Sequence, residues 1–328
     1  MKRLQINIFG LLVVLACMIV GAGRAYAQVD AQFTQYWAAQ SYYNPAAIGL
    51  TDYIHITGGA RLQWIGIENA PMSFTGMADM PVKIGSKRIG VGVCVLSESL
   101  GLYRNLSASA QVAYKFKLLG GQLGIGVQLG LMNEVFKGSK IHIPDDAEGM
   151  ESTDEAIPQT DVSGNAFDMG AGVYYSHKYV WLAISAAHLM EPAVSLKAEG
   201  SQEDLYEFKA NRMFYFMGGG NIPIKNTLFE ILPSVFVKSD FKMFTAEATL
   251  RARFKKMFSA GVAYRWKDAV SLVVGLEIKN FFVGYSFDYP LSAINKASHG
   301  SHEVFLSYNV KLNLQDKNKN KHKSIRIL

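Results

Sequence analysis

From residue 53 onward, apolar residues alternate with small or polar ones in segments of about ten. In 53–64, Ile54, Ile56, Ala60, Leu62 and Trp64 fall on one face, and His55, Thr57, Gly59, Arg61 and Gln63 on the other. That period of two is a strand's. The same alternation runs through 72–80, 88–96, 105–115, 122–130, 166–175 and 179–188. It continues through 212–220, 229–237, 245–254, 257–264, 269–278, 280–289 and 302–310, so fourteen strands are predicted. Beyond an apolar run at 6–20, no stretch approaches the ~20 residues of a membrane helix.

Two architectures bury such strands. A soluble sandwich turns its large apolar residues inward, whereas a membrane barrel presents them to lipid and keeps small or polar ones in its lumen. Strand 245–254, with Ala246, Ala248, Leu250, Ala252 and Phe254 opposite Thr245, Glu247, Thr249, Arg251 and Arg253, suits either. Two others discriminate. Their second faces, Gly90-Gly92-Cys94-Leu96 and Gly124-Gly126-Gln128-Gly130, suit a crowded lumen better than an aqueous surface. Aromatics such as Trp64, Tyr114, Tyr179, Trp181, Tyr264, Trp266 and Tyr289 gather at strand ends, as at a bilayer interface. The connections agree. Counted from a periplasmic start, the even-to-odd connections (81–87, 116–121, 176–178, 221–228, 255–256 and 279) are short, and the long ones, 131–165 and 189–211, fall on the other side. The fold class is therefore all-β, a transmembrane antiparallel β-barrel of about 14 strands of the outer-membrane type.

Sorting the connections also sorts the charge. Lys83, Lys87, Lys117, Lys178, Lys225, Lys255, Lys256 and Lys279 occupy the periplasmic turns, with no acid among them. The first outer loop carries Glu134, Asp145, Asp146, Glu148, Glu151, Asp154, Glu155 and Asp161 against Lys137 and Lys140. The second carries Glu191, Glu199, Glu203, Asp204 and Glu207 against Lys197 and Lys209. The basic side has two compatible readings, accommodation to anionic lipid and a docking surface for periplasmic protein.

The whole chain of 328 residues has a formal charge of +6. Residues 1–27 contribute three cations and no acid, and the last 13 residues a net +4, which leaves 28–315 at −1. A broad nucleic-acid groove is thereby disfavoured. Residues 1–27 read as a signal peptide, with Lys2-Arg3, an apolar core at 6–20, and Ala25-Tyr26-Ala27 before the cleavage point at Gln28. A lipoprotein box at Val14-Leu15-Ala16-Cys17 is the competing reading, weakened because Met18-Ile19-Val20 continue the apolar run. The domain plan is a signal peptide 1–27, a periplasmic or lumenal segment 28–52, a barrel 53–310 and a basic periplasmic tail 311–328 with Lys317, Lys319, Lys321 and Lys323. The tail reads as a disordered extension or as a tether to an acidic partner.

Catalytic chemistry finds no constellation. Ser301-His302-Glu303 cannot act as a triad because strand neighbours point to opposite faces. His299 and His302 lack companion ligands for a metal, and the acidic stretch 145–161 lacks the alternating ladder of a calcium loop. Two cysteines, Cys17 and Cys94, exclude a disulfide framework. Glu247, Arg251 and Arg253 on one lumenal face read as an ion-pair network. No enzyme activity, cofactor or metal is expected.

Several short motifs carry a resemblance. They are Gln32-Phe33-Thr34-Gln35-Tyr36, then Tyr43-Asn44-Pro45-Ala46-Ala47-Ile48-Gly49, Arg61-Leu62-Gln63-Trp64-Ile65-Gly66 and Ala70-Pro71. Further on come Ala186-Ala187-His188-Leu189-Met190-Glu191-Pro192, Tyr285-Ser286-Phe287-Asp288-Tyr289 and Gly300-Ser301-His302-Glu303. In this order they resemble the PorP/SprF family, outer-membrane proteins of type IX secretion and gliding systems in the Bacteroidetes. The resemblance implies a non-enzymatic component that associates with periplasmic ring and motor proteins or with a secreted adhesin. It leaves the Lys/Asn-rich tail unaccounted for.

Physical roles are proposed for the motif residues. Asn44-Pro45, followed by Gly49, forms a turn into the first strand. Trp64 sits at that strand's outer end, with Arg61 and Gln63 towards the lumen and Gly66 and Pro71 beyond it. Gly300 permits a positive-φ start to the strand of Ser301, His302 and Glu303. Residues 32–43 either pack in the lumen or contact a partner. The leading function is a scaffold of the secretion machinery, and the alternative is a passive pore, since Gly-rich lumenal faces leave a channel or admit a plug.

Overall fold

The computed structural model describes residues 30–85, 87–141, 158, 160–198 and 206–313. Fourteen strands close a barrel by antiparallel pairing throughout. They are β1 (Tyr53–Leu62), β2 (Met72–Ile84), β3 (Lys87–Leu100), β4 (Tyr103–Leu118), β5 (Gly121–Lys137), β6 (Asp161–Ser176) and β7 (Val180–Ala187). A surface hairpin follows, β8 (Ala193–Ala198) and β9 (Tyr206–Lys209). The barrel continues with β10 (Met213–Gly220), passes a short edge piece β11 (Ile222–Pro223), and resumes at β12 (Phe229–Ser239). It finishes with β13 (Phe244–Phe254), β14 (Phe258–Arg265), β15 (Ala269–Ile278), β16 (Phe281–Pro290) and β17 (Ser301–Lys311). β7 pairs with β10, and β1 pairs with both β2 and β17, so no edge is left open. Every strand expected from the alternation is present.

The strands are inside-out relative to a soluble sheet. On β15, Leu272 is 60% exposed while its neighbour Ser271 is fully buried. On β13, Leu250 faces out while Glu247 and Thr249 are buried inside. A bilayer stabilises that apolar outer band, and closure gives each barrel strand a partner on both sides. β1 begins where β17 ends, Tyr53 opposite Lys311, and both ends share a rim with the short turns. Tyr114, Phe229, Phe258 and Phe281 stand exposed near that rim, and Tyr264, Trp266, Phe244 and Tyr289 near the other, forming two interfacial girdles.

Two boundaries differ from expectation. The outer loop expected at 131–165 shortens to 138–160, because β5 and β6 stay paired up to Lys137 opposite Asp161. Glu134 is therefore a buried lumenal strand residue rather than a loop acid. The second loop, 189–211, contains the β8–β9 hairpin, which pairs with β6 through Val162 and Ser163. Val194 and Leu196 pack with Met132, Val162 and Ala210 and seat the hairpin at the outer mouth. The remaining loop acids from Asp145 to Glu155, with Glu199, Glu203 and Asp204, and the tail lysines, lie outside the described residues.

The largest core cluster is inside the barrel and is built around the N-terminal segment. Phe33, Tyr36, Ala39, Tyr43 and Ala46 pack against Met213, Tyr215, Met217, Phe236 and Phe305 of the wall. Phe33 meets Phe305 edge-on at 5.4 Å, and Tyr36 stacks on Phe236 at 5.2 Å. Of the two readings for residues 32–43, the structure shows lumenal packing.

Candidate functional site

The N-terminal segment runs down the lumen as a plug, from Asp30 near the outer mouth to Leu50 near the periplasmic rim. Its outer half is held by charge. Glu303 on β17 accepts the backbone N–H groups of Thr34 and Gln35 at 2.8 and 2.7 Å. Arg61 on β1 bridges Glu303 (3.0 Å) and Asp288 of β16 (2.7 Å), and also donates to the Thr34 hydroxyl. The Thr34 hydroxyl donates in turn to Asp288 at 2.8 Å. Arg265 of β14 closes the cluster, pairing with Glu247 at 2.8 Å and reaching Thr34 Oγ1 at 2.8 Å. Arg61 and Arg265 are 2% and 3% exposed, and each of these buried cations has carboxylate partners, as burial demands.

The periplasmic half is held by shape and backbone bonds. Asn44 caps a short 3-10 turn at Pro45–Ala47 by accepting the Ala46 N–H, and its amide donates to the carbonyls of Val173 and Ile184. Glycines of the wall make room. A Cβ on Gly126 would stand 2.5 Å from Pro45 and Ala46 backbone, and one on Gly90 2.6 Å from the Ile48 carbonyl. Lys115 donates to that same carbonyl, and Gly49, at φ +57°, donates its N–H to Asp79 at 2.6 Å. Tyr36 donates to Ser234 at 2.8 Å, and Arg251 lies over the Trp37 ring at 3.8 Å.

The plug separates two recesses. The periplasmic one, 550 Å³, is lined by Trp37, Leu50, His55, Arg251 and Lys279. The outer one, 310 Å³, is lined by Asp30, Glu98, Asn105, Glu134, His188 and hairpin residues including Tyr206 and Phe208. At the outer recess, Asp30 pairs with His188 at 3.1 Å and accepts from Tyr215, while His188 Nδ1 stands 2.9 Å from Asp168. Burial opposes both charges, yet His188 holds the Asp30 carboxyl down at about 2, and Asp30 with Asp168 holds the imidazole well above its ordinary value.

The eight lysines expected in the periplasmic turns fall at the rim that carries the short turns. Lys83, Lys87 and Lys117 are at strand ends, and Lys178, Lys225, Lys255, Lys256 and Lys279 in turns. Three of them lie over girdle rings: Lys87 over Tyr114 (5.6 Å), Lys178 over Tyr179 (5.0 Å) and Lys255 over Phe254 (5.3 Å). Such pairs hold a cation at the interface level and leave its charge towards water.

With plug, closure and rims described, comparison with known proteins is informative. Residues 25–308 match the family described as type IX secretion system membrane protein PorP/SprF. The chain belongs to the PorP/SprF family. It is accordingly an outer-membrane β-barrel protein, as its lipid-facing band requires. No curated protein sequence matches it. Similar solved structures include the Pseudomonas putida toluene transporter TodX, at 9% identity and TM-score 0.49 over 86% of this chain and 95% of that one. Others are the translocator domain of the autotransporter NalP from Neisseria meningitidis (10%, 0.45, 85% and 94%) and the Acinetobacter baumannii outer membrane protein Omp33 (8%, 0.44, 80% and 100%).

The PorP/SprF motifs, scattered in sequence, meet in two places. Thr34, Gln35, Arg61, Asp288 and Glu303 form the charged clamp. Trp64, Gly66, His299, Gly300 and Ser301 form an outer turn junction, where Trp64 N–H donates to Ser301 Oγ (3.1 Å) and Ile65 exchanges bonds with Gly300 and His299. Gly300 has φ +98°, and a Cβ there would meet the Phe287 ring at 2.7 Å. Gln63 lies just past β1, its N–H donating to Pro71 at 3.0 Å. His302 accompanies Tyr285 at 2.7 Å, on the face opposite the lumen. The expected network of Glu247, Arg251 and Arg253 divides: Glu247 pairs with Arg265, Arg251 with Trp37, and Arg253 with Glu230 at 2.5 Å. Sequence reasoning missed Arg265, Lys115 and the pair Glu98 and Glu134. Their signal was charge at lumen-facing positions, which alternation alone marks as costly.

Proposed function

We propose that this PorP/SprF chain is a self-plugged, non-enzymatic scaffold of the type IX secretion and gliding machinery. It docks periplasmic ring or motor components, through its basic periplasmic rim, or a secreted adhesin. The observation that carries the reading is the plug, because a lumen filled by the chain's own N-terminal segment leaves the two rims as working surfaces. The lysine rim supports a periplasmic partner of acidic surface. The same plug weighs against the passive-pore reading.

The test is a charge reversal. Lys255→Glu with Lys256→Glu should leave the barrel heat-modifiable on gels while weakening co-purification of periplasmic partners in mild detergent. Unchanged co-purification removes the docking role from that turn. Planar-bilayer recording separates the two readings further, since a scaffold of this kind is silent and a passive pore gives a steady conductance.

A further inference from the structure

The periplasmic recess is lined by an arginine that, among the described residues, has no counter-ion. On the lumenal wall Arg61, Arg253 and Arg265 each pair with a carboxylate. Arg251, on the same face of β13 as Arg253, pairs with none among the described residues. Its guanidinium lies over the Trp37 ring at 3.8 Å, and its Nε is buried without an acceptor. Trp37 Nε1 is buried without one as well. Nearby carboxylates are engaged elsewhere, Glu277 and Glu230 with Arg253 and Asp79 with the Gly49 N–H at 2.6 Å. Buried donors without acceptors are costly. A guanidinium stacked by its face keeps its edge donors for a planar acceptor, and a carboxylate is the matching shape.

The walls of the recess indicate what carries that carboxylate. Trp37, Leu50, Trp181, Leu232 and Phe282 give it apolar sides. Its 550 Å³ lies within the range of about 300–1,000 Å³ that encloses a group far larger than one carboxylate. Lys178 and Lys279 line its mouth, in the short turns of the rim. The closed wall shuts lipid out and the plug fills the lumen above, so an occupant enters from the periplasm. We propose that the recess receives an acidic peptide segment of a periplasmic partner, with an Asp or Glu carboxylate on Arg251 and apolar neighbours against Trp37 and Trp181. The lysines at the mouth draw the segment in by charge, and the arginine fixes its register within. This anchor rests on the docking reading of the periplasmic rim, and it places a contact of the partner inside the barrel.

The full-length chain is expressed in its native host with photo-reactive p-benzoylphenylalanine replacing Thr51, an exposed residue of the recess. Irradiation should join it to a periplasmic protein, and mass spectrometry should map the junction to a segment carrying Asp or Glu. Arg251→Met should cut the adduct at least tenfold while the barrel stays heat-modifiable, because loss of this arginine strands no carboxylate. A synthetic peptide of the mapped segment should bind the purified barrel at least tenfold more tightly than its counterpart with Asn for Asp or Gln for Glu. Against the Arg251→Met barrel the two peptides should bind alike. No adduct at Thr51, a junction without an acid, or a junction to this chain's own residues overturns the anchor. So does an adduct indifferent to Arg251→Met, or a peptide preference that survives it. The rim is then judged separately: loss of co-purification with Lys255→Glu and Lys256→Glu keeps it as a docking face without the anchor, and unchanged co-purification removes that turn's role as well.

Discussion

The two halves of the plug are fastened by opposite means. The outer half is gripped by ions, since Arg61, Asp288, Glu303 and Arg265 converge on Thr34 and Gln35. The periplasmic half is gripped by missing atoms, with Gly90, Gly126 and Gly172 leaving hollows for Ile48, Ala46 and Asn44. The first fastening is strong only while complete, because removal of one ion strands its partners in a dry site. The second is graded, because its hydrogen bonds are single ones, made to or from the plug's backbone or the Asn44 amide, and its fit is steric.

Substitutions that separate these modes should fall in a definite order. Arg61→Met strands Glu303 and Asp288 and should lower stability by about 3–5 kcal/mol, read as earlier loss of the heat-modifiable band. Gly126→Val forces side-chain atoms against Pro45 and Ala46 backbone and should cost about 1–3 kcal/mol, with the plug more open to protease than in the parent. Gly76→Ala is its control: nothing lies within 4 Å of that Cβ, and the barrel should be unaffected. Asn44→Ala removes the turn's cap and should cost about 1–2 kcal/mol by the same gel measurement. Tyr36→Phe removes the bonds to Ser234 and Thr249 but keeps the ring on Phe236, so about 1 kcal/mol is expected. If Gly126→Val proves worse than Arg61→Met, shape rather than charge dominates the fastening, and the contrast is reversed.

The same contrast explains what could be read in advance. The strands were legible because a lipid-facing band imposes strict alternation, as in Leu250 against Glu247 and Thr249. The glycine faces at 90–92 and 124–130 announced a crowded lumen, but a glycine does not say what fills the space it leaves. Arg61, Asp288 and Glu303 stood in recognisable motifs, yet their meeting depends on closure of the first strand against the last, 242 residues apart at the Arg61–Glu303 bond. Glu134 was misplaced because periodicity weakens where strands outrun the membrane, while the backbone ladder to β6 continues.

Arg61 and Glu303 are also direct partners in the β1–β17 register, the seam where the barrel's ends join. One carboxylate therefore holds the plug's backbone and the arginine across the seam. It does so only when both strands are aligned, so the register of the seam and the seat of the plug depend on the same side chain. A barrel fastened in this way is stapled from within along the ladder that joins its first and last strands. Opening that ladder would therefore also free the plug's backbone from Glu303.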